Sequence, residues 1–316
     1  MNPEDIRTVA VVGAGTMGAG IAGEVARAGR EARLLDVSDE RLRRGDELIR
    51  SAQASLVEAS LLSQGDADEA RDRIAMTTDP REACEGVDLV IEAASEDLAL
   101  KRQLFADFDR LCPSHALLAS NTSGLSITDM ASVTSRPSQV AGMHFWNPPH
   151  VIPLVEVTKG DATSDETSEA LMGLCKLLGK RPILVRRSAP GFVGNRLQFA
   201  VFREALHILS EGIASAEDID TAMAAGPGLR WALMGPLRIA DLGGLDVFAA
   251  ISAYLFAELS DAGKPAAFLT EMVEQGKRGA KSGEGFYTYA DGETGGIAKE
   301  RDRRLLRMLK VLDEER

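Results

Sequence analysis

The sequence predicts an α/β fold: a doubly wound parallel sheet carrying a helical-arm insertion, followed by an all-α C-terminal domain. Three observations predict it. Short apolar runs alternate with helical stretches over the first 187 residues, as in strands joined by crossover helices. The first of these runs, Val9-Ala10-Val11-Val12, feeds directly into Gly13-Ala14-Gly15-Thr16-Met17-Gly18. Beyond a hinge-like stretch, Ser188-Ala189-Pro190-Gly191, the texture changes to helical periodicity with no convincing strand until the end. The expected domains are residues 1–187 and 188–316.

Residues 6–12 form the first expected strand. The glycine-rich turn after it opens a helix at 19–28, and a second strand at 31–35 ends on the carboxylate Asp36. That order is the pattern of a Rossmann-type dinucleotide site. Gly13 permits the tight turn, Gly15 lets backbone approach a pyrophosphate, and Gly18 lets the helix pack close to the strand. The helix N-terminus then offers unpaired N–H groups and its positive dipole end to phosphate. Asp36 is suited to accept from the adenosine ribose hydroxyls and to repel a 2′-phosphate, and Val37 beside it offers no cation. The cofactor expected is therefore NAD rather than NADP. A competing reading makes Asp36 a helix cap, a role for which Ser38 and Asp39 are also suited.

Residues 38–73 are too many for a plain crossover, and their alanine, leucine and charge content predicts two helices forming an arm off the sheet. Strands follow at 74–77, 87–92, 116–119, 139–143, 154–157 and 182–185, with a helix at 98–109. The second domain reads as helices at 192–211, 216–224, 247–262 and 266–275. Its apolar content, Phe199, Val201, Phe202, Leu206, Ile208 and Leu209 early and Ile251, Tyr254, Leu255 and Phe256 later, exceeds what one small core needs. A homodimer through this domain is expected.

Composition narrows the function classes. The chain is 45% apolar without a run approaching a membrane span, and residues 1–7 lack the basic region and apolar core of a signal peptide. Its three cysteines, Cys84, Cys112 and Cys175, are far apart and match no metal-ligand spacing. A cytoplasmic protein, without metal or membrane contact, is expected. A net charge of −12 argues against a nucleic-acid partner, which wants a basic face.

Hydride transfer between an alcohol and NAD needs a base for the hydroxyl proton, a group that orients the base, and donors to the forming carbonyl. His144 follows the strand at 139–143, at the carboxyl edge where such sheets bind ligands. Glu156 lies in the next strand and returns a carboxylate toward the same edge, as an aspartate does for the histidine of a triad. Ser123 follows the strand at 116–119, and Asn195 opens the first helix of the second domain. Each residue alone reads as structural, a satisfied histidine, a solvent-facing glutamate or a helix cap. Their convergence on one sheet edge points to small-molecule chemistry.

The segments VAVVGAGTMGAGIA, DLVIEAASEDLALK, LLASNTSGLSIT, GMHFWNPPHVIPLVEV, APGFVGNR, ALMGPLRIADLGGLD and GAKSGEGFYTY follow one another in this order. In that series the chain resembles the L-3-hydroxyacyl-CoA dehydrogenases along nearly its whole length. The resemblance implies a Rossmann-like domain, a helical dimerisation domain, and NAD-dependent oxidation of a 3-hydroxyacyl thioester in fatty acid metabolism. It makes His144 the catalytic base, Glu156 its partner carboxylate, Ser123 a substrate contact, and Asn195 a residue that helps hold the thioester. It places Glu96, Lys101, Asn147 and Lys281 on the cofactor. Without it, Lys101 and Lys281 read as solvated surface lysines, Glu96 as a helix start, and Trp146 and the SGEGFY segment as packing.

The family holds the CoA nucleotide on the arm, commonly with a lysine cluster, whereas residues 55–62 here contain no basic side chain. Arg41, Arg43, Arg44 and Arg50 lie earlier on the arm. Relatives of the family oxidise small free hydroxy acids or alcohols, among them carnitine, gulonate and a pyridine carboxylate, with the same histidine. That is the second substrate class in view. A third reading is an NAD-binding structural protein without activity, as in lens crystallins of this lineage.

Overall fold

The structure is a computed structural model that describes residues 1–290 and 292–314. Its sheet is built from β1 (Thr8–Val12), β2 (Glu31–Leu35), β3 (Ile74–Thr77), β4 (Leu89–Glu92), β5 (Leu117–Ser120), β6 (Val140–Phe145), β7 (Leu154–Lys159) and β8 (Arg181–Val185). Their spatial order is β3-β2-β1-β4-β5-β6-β7-β8. The order reverses at β1, between β2 and β4, which opens the crevice where such sheets hold a ligand.

The pairing is parallel except between β6 and β7. The sheet is thus mostly parallel, as the alternation leads one to expect, with one antiparallel pair. The link at 146–153 is too short for a crossover, which takes a dozen or more residues. β7 therefore turns back along β6, and His144 falls opposite Glu156 in register.

Alternate residues of β1 enter two cores. Val9 and Val11 join Ile21 and Val25 of α1 (Thr16–Arg27). Ala10 and Val12 share the opposite core with Phe105 and Phe108. With both faces covered, the central strands are apolar throughout. The arm is α2 (Asp39–Glu58) followed by α3 (Gln64–Asp72), started by Ser38 and Ser63, whose hydroxyls accept from Arg41 and Asp66 N–H groups. The remaining helices around the sheet are α4 (Pro80–Cys84), α5 (Leu98–Leu111), α6 (Ile127–Ala131) and α7 (Asp165–Leu177). All three cysteines are free and buried.

The rest of the chain is helical: α8 (Gly194–Ser210), α9 (Ala216–Ala225), α10 (Pro227–Met234), α11 (Pro236–Gly243), α12 (Leu245–Leu255), α13 (Ala267–Glu274) and α14 (Glu293–Glu314). In the SGEGFY segment Phe286 and Tyr287 are partly exposed and each has a partner. The Phe286 ring meets Phe202 edge-on at 6.5 Å, and Tyr287 Oη donates to Asp220 at 2.7 Å.

The compact units are Met1–Asn195 with Leu305–Lys310, and Arg196–Arg304 with the residues from Val311. Within the first unit the backbone of Val193 and Gly194 is bonded to Glu156 of β7. The return of Leu305–Lys310 has no counterpart in the sequence expectation. Leu306, 2% exposed, forms a small core with Leu56 and Val151, flanked by Ala59, Leu62 and Leu309. This covers the apolar end of α2. Among the described residues no helix is long and apolar enough to cross a membrane.

Candidate active site

The turn after β1 has the shape a pyrophosphate requires. Gly13 has φ +107°, and a Cβ there would meet the Ala93 carbonyl oxygen at 2.7 Å. A Cβ on Gly18 would collide with the Gly13 carbonyl oxygen, so α1 packs directly on the turn. At Gly15 a Cβ would meet nothing within 4 Å, and this residue starts α1 without a side-chain cap. The backbone N–H groups of Thr16 and Met17 lie in that uncapped first turn. The donors and the open space fit a dinucleotide's phosphates.

Asp36 is 8% exposed and does not cap α2, a role Ser38 fills. Its Oδ2 accepts from Ala14 N–H and its Oδ1 from Val37 N–H, both at 2.7 Å. The carboxylate thus ties the phosphate turn to the end of β2, where ribose hydroxyls would be read. Arg41, one turn into α2, brings Nη1 to 3.8 Å from Asp36, a cation invisible from the neighbour Val37 alone. Asp36→Ala should weaken NAD binding and relax the preference against NADP by about tenfold or more, the scale of one charge-assisted hydrogen bond. The kcat/KM ratio for the two cofactors measures this; an unchanged ratio would leave Asp36 a loop-fixing role only.

At the carboxyl edge, His144 Nδ1 lies 2.8 Å from Glu156 Oε2, with the histidine 6% and the glutamate 0% exposed. The same oxygen accepts from Trp146 Nε1 at 3.2 Å, and Oε1 accepts from Val193 and Gly194 N–H, each at 2.9 Å. Gly191 (φ +76°) and Phe192 (φ +46°) adopt left-handed backbone in succession, and the bend brings the next two N–H groups onto the carboxylate. A buried phenylalanine in that region is strained, as at functional sites. Its ring contacts the imidazole edge-on at 5.8 Å, and Trp146 flanks it at 5.7 Å. Trp146, expected to be packing alone, is also a donor to Glu156.

Burial acts to raise the Glu156 carboxyl, but the hydrogen bonds from His144, Gly194, Val193 and Trp146 outweigh it and hold the group below the usual carboxylate range. A depressed carboxyl stabilises the fold fully above its unfolded value, about 4.3, and loses that contribution as pH falls through the lower folded value. Thermal melts should therefore show a steeper acid-side decline in the native chain than in Glu156→Gln. Parallel declines would remove Glu156 as a source of acid sensitivity.

Ser123 is exposed on the turn after β5. Its N–H donates to Glu96 Oε1 at 3.0 Å, which also accepts from Thr122 Oγ1 at 2.5 Å. Glu96 is thus a brace for the Ser123 turn, and Asp97 caps α5. Asn195 Nδ2 donates to the Ser123 carbonyl at 3.4 Å. Lys101 corrects the expectation of a surface lysine. It is 1% exposed and bonded to both Glu92 oxygens at 2.7 and 2.9 Å, with Glu96 at 3.4 Å.

Glu92 escaped the sequence reading, although a carboxylate closing the apolar run of β4 was a visible signal. It also accepts from Ser120 Oγ at 2.6 Å and so fixes the end of β5. Asn147 is exposed at the start of the loop after β6. Lys180 steadies that loop by donating to the Pro149 carbonyl, while pairing with Glu24 at 2.5 Å. Lys281 is exposed and belongs to the second compact unit.

Residues 8–188 match the family described as 3-hydroxyacyl-CoA dehydrogenase, NAD binding domain, and residues 191–289 match its C-terminal domain. The chain is 34% identical to a 5-formyl-3-hydroxy-2-methylpyridine 4-carboxylate 5-dehydrogenase of Mesorhizobium japonicum, over 98% of this chain and 99% of that one. A 3-hydroxybutyryl-CoA dehydrogenase of Clostridioides difficile is 39% identical over 89% of this chain and 99% of its own. Among solved structures, a 5-formyl-3-hydroxy-2-methylpyridine 4-carboxylic acid 5-dehydrogenase, described as an NAD+ dependent dismutase, superposes with a TM-score of 0.90 at 34% identity, covering 98% and 99% of the two chains. The (S)-3-hydroxybutyryl-CoA dehydrogenase of Ralstonia eutropha gives 0.74 at 40% identity, covering 90% and 99%.

Proposed function

Because the chain belongs to the 3-hydroxyacyl-CoA dehydrogenase family, NAD-dependent oxidoreductases acting on CH–OH groups, we propose that it oxidises the hydroxyl of a small carboxylate-bearing substrate with His144 as general base. The observation that carries the chemistry is the 2.8 Å contact of His144 Nδ1 with a glutamate whose oxygens are otherwise bonded. Nδ1 is committed, which leaves Nε2 to take the hydroxyl proton. NAD supplies the hydride acceptor. As the C–H hydride departs and the O–H proton moves to Nε2, Glu156 stabilises the imidazolium, as in a triad. The Ser123 hydroxyl and the Asn195 amide are the donors for the substrate oxygen as it becomes a carbonyl.

The substrate class rests on the arm. A CoA carries several phosphate charges that want lysine or arginine partners. Residues 55–62 offer none, and the apolar end of α2 is covered by Leu306. The match over 98% of the chain to a dehydrogenase named for a pyridine carboxylate supports the same choice. The thioester reading keeps one observation of its own: Arg41, Arg43, Arg44 and Arg50 are exposed on α2. Initial rates of NADH formation separate the two, with L-3-hydroxybutyryl-CoA set against L-3-hydroxybutyrate, carnitine, gulonate and a hydroxymethyl pyridine carboxylate. Saturable turnover confined to the thioester overturns the small-substrate reading. NAD binding without turnover on any hydroxy compound overturns the enzyme reading and favours a structural protein.

The same proposal includes self-association. The second unit exposes Leu237 (84%), Phe256 (70%), Leu242 (70%) and Ile213 (69%), far more apolar surface than a lone helical unit keeps in water. A homodimer through this unit covers such a face. Sedimentation of a monomer at micromolar concentration would count against it.

A further inference from the structure

The second unit holds a cavity of about 580 Å³ between α8 and the loop at 260–266. That is the size of a small-molecule site. On α8, Arg196, Arg203 and His207 stand at i, i+7 and i+11, one stripe of the helix, and all three line the cavity. Lys264 enters from the facing loop. Part of the lining is aromatic. Phe199 and Phe202 meet edge-on at 6.1 Å, and Phe202 is held in turn by Phe286.

The charged groups that line the cavity are basic. The chain carries 48 acidic against 36 basic residues, yet among the described residues no aspartate or glutamate lines this cavity. Among the described residues, neither of the two arginines nor Lys264 has an ion-pair partner. The nearby carboxylate on α8, Glu204, is spent on the loop backbone, accepting from Ser260 N–H at 2.8 Å. It shapes the loop that presents Lys264 and neutralises none of the cations. Unpaired cations lining a cavity together with aromatic rings recognise an anionic head joined to an apolar body.

We propose that this cavity of the second unit binds an amphipathic anion, a carboxylate or phosphate ester carried on an apolar chain or ring. The test uses the full-length protein and isothermal titration with octanoate, octyl phosphate and, as the neutral control, octanol. Saturable binding of an anion and none of octanol is expected, and the tighter of the two anions identifies the head group. Arg203→Gln with Lys264→Gln should weaken anion binding by at least tenfold and leave NAD affinity unchanged. Phe202→Leu should weaken it with the cations intact. Equal binding of octanol, or undiminished anion binding in the double variant, overturns the proposal. So does a shift of Arg203→Glu from dimer to monomer in sedimentation without any anion binding to the native protein, since the groove would then be an interface between copies. None of these readouts depends on turnover, so the proposal fails or stands apart from the assignment of His144.

Discussion

His144→Gln is expected to lower turnover by roughly 10²–10⁴, the contribution of a positioned general base, while NAD affinity stays nearly unchanged. The separation follows from the structure. The dinucleotide cradle is made by Gly13, Gly15, Gly18 and Asp36 at the β1 and β2 ends, and none of its hydrogen bonds reaches β6. Glutamine keeps a polar group near Glu156 but has no basic nitrogen to accept the hydroxyl proton. NADH formation under saturating substrate and cofactor fluorescence titration are the paired measurements. Turnover at the native level would end the assignment of His144 as base. Loss of turnover together with loss of NAD binding would make it a structural residue instead.

The cofactor half of the site was legible because its determinants are local. Gly13, Gly15, Gly18 and Asp36 act through backbone conformation and strand ends within one βαβ unit, so their spacing in sequence is their geometry in space. The catalytic half was legible only by convergence: His144 and Glu156 are recognisable as candidates, but their pairing depends on β7 running antiparallel to β6. The eight-residue link, too short for a crossover, carries that information, and the expected return of Glu156 to the edge of His144 agrees with it. The remainder was out of reach for a physical reason. Lys101 sits on an amphipathic helix like any surface lysine, and only the closure of α5 onto the end of β4 turns it inward to Glu92. The donors from Val193 and Gly194 are backbone groups, which carry no residue identity. Leu306 meets Leu56 across most of the chain length, a contact that no local pattern encodes.

Glu156→Gln should cost as much as removing the base, and the reason lies in donor and acceptor counting. Four donors converge on Glu156: His144 and Trp146 on one oxygen, Val193 and Gly194 on the other. A glutamine has one oxygen to give. With that oxygen turned to Val193 and Gly194, its NH₂ faces the Trp146 N–H, which cannot accept, and the imidazole, which accepts only if Nδ1 gives up its proton. His144 is then driven to the tautomer with the proton on Nε2, the nitrogen that must be free to act as base. The corresponding amide substitution in a serine-protease triad lowers turnover by about 10⁴ through the wrong tautomer, and a loss of that order is expected here. KM for NAD should stay level, because the hydrogen bonds of Glu156 go to His144, Trp146, Val193 and Gly194 and none to the phosphate turn. Nitrogen chemical shifts of the His144 ring give the direct readout: Nδ1–H in the native protein, Nε2–H in the variant. Retention of the Nδ1–H form with unimpaired turnover would show that the carboxylate anchors the bend at 191–194 and has no part in orienting the base.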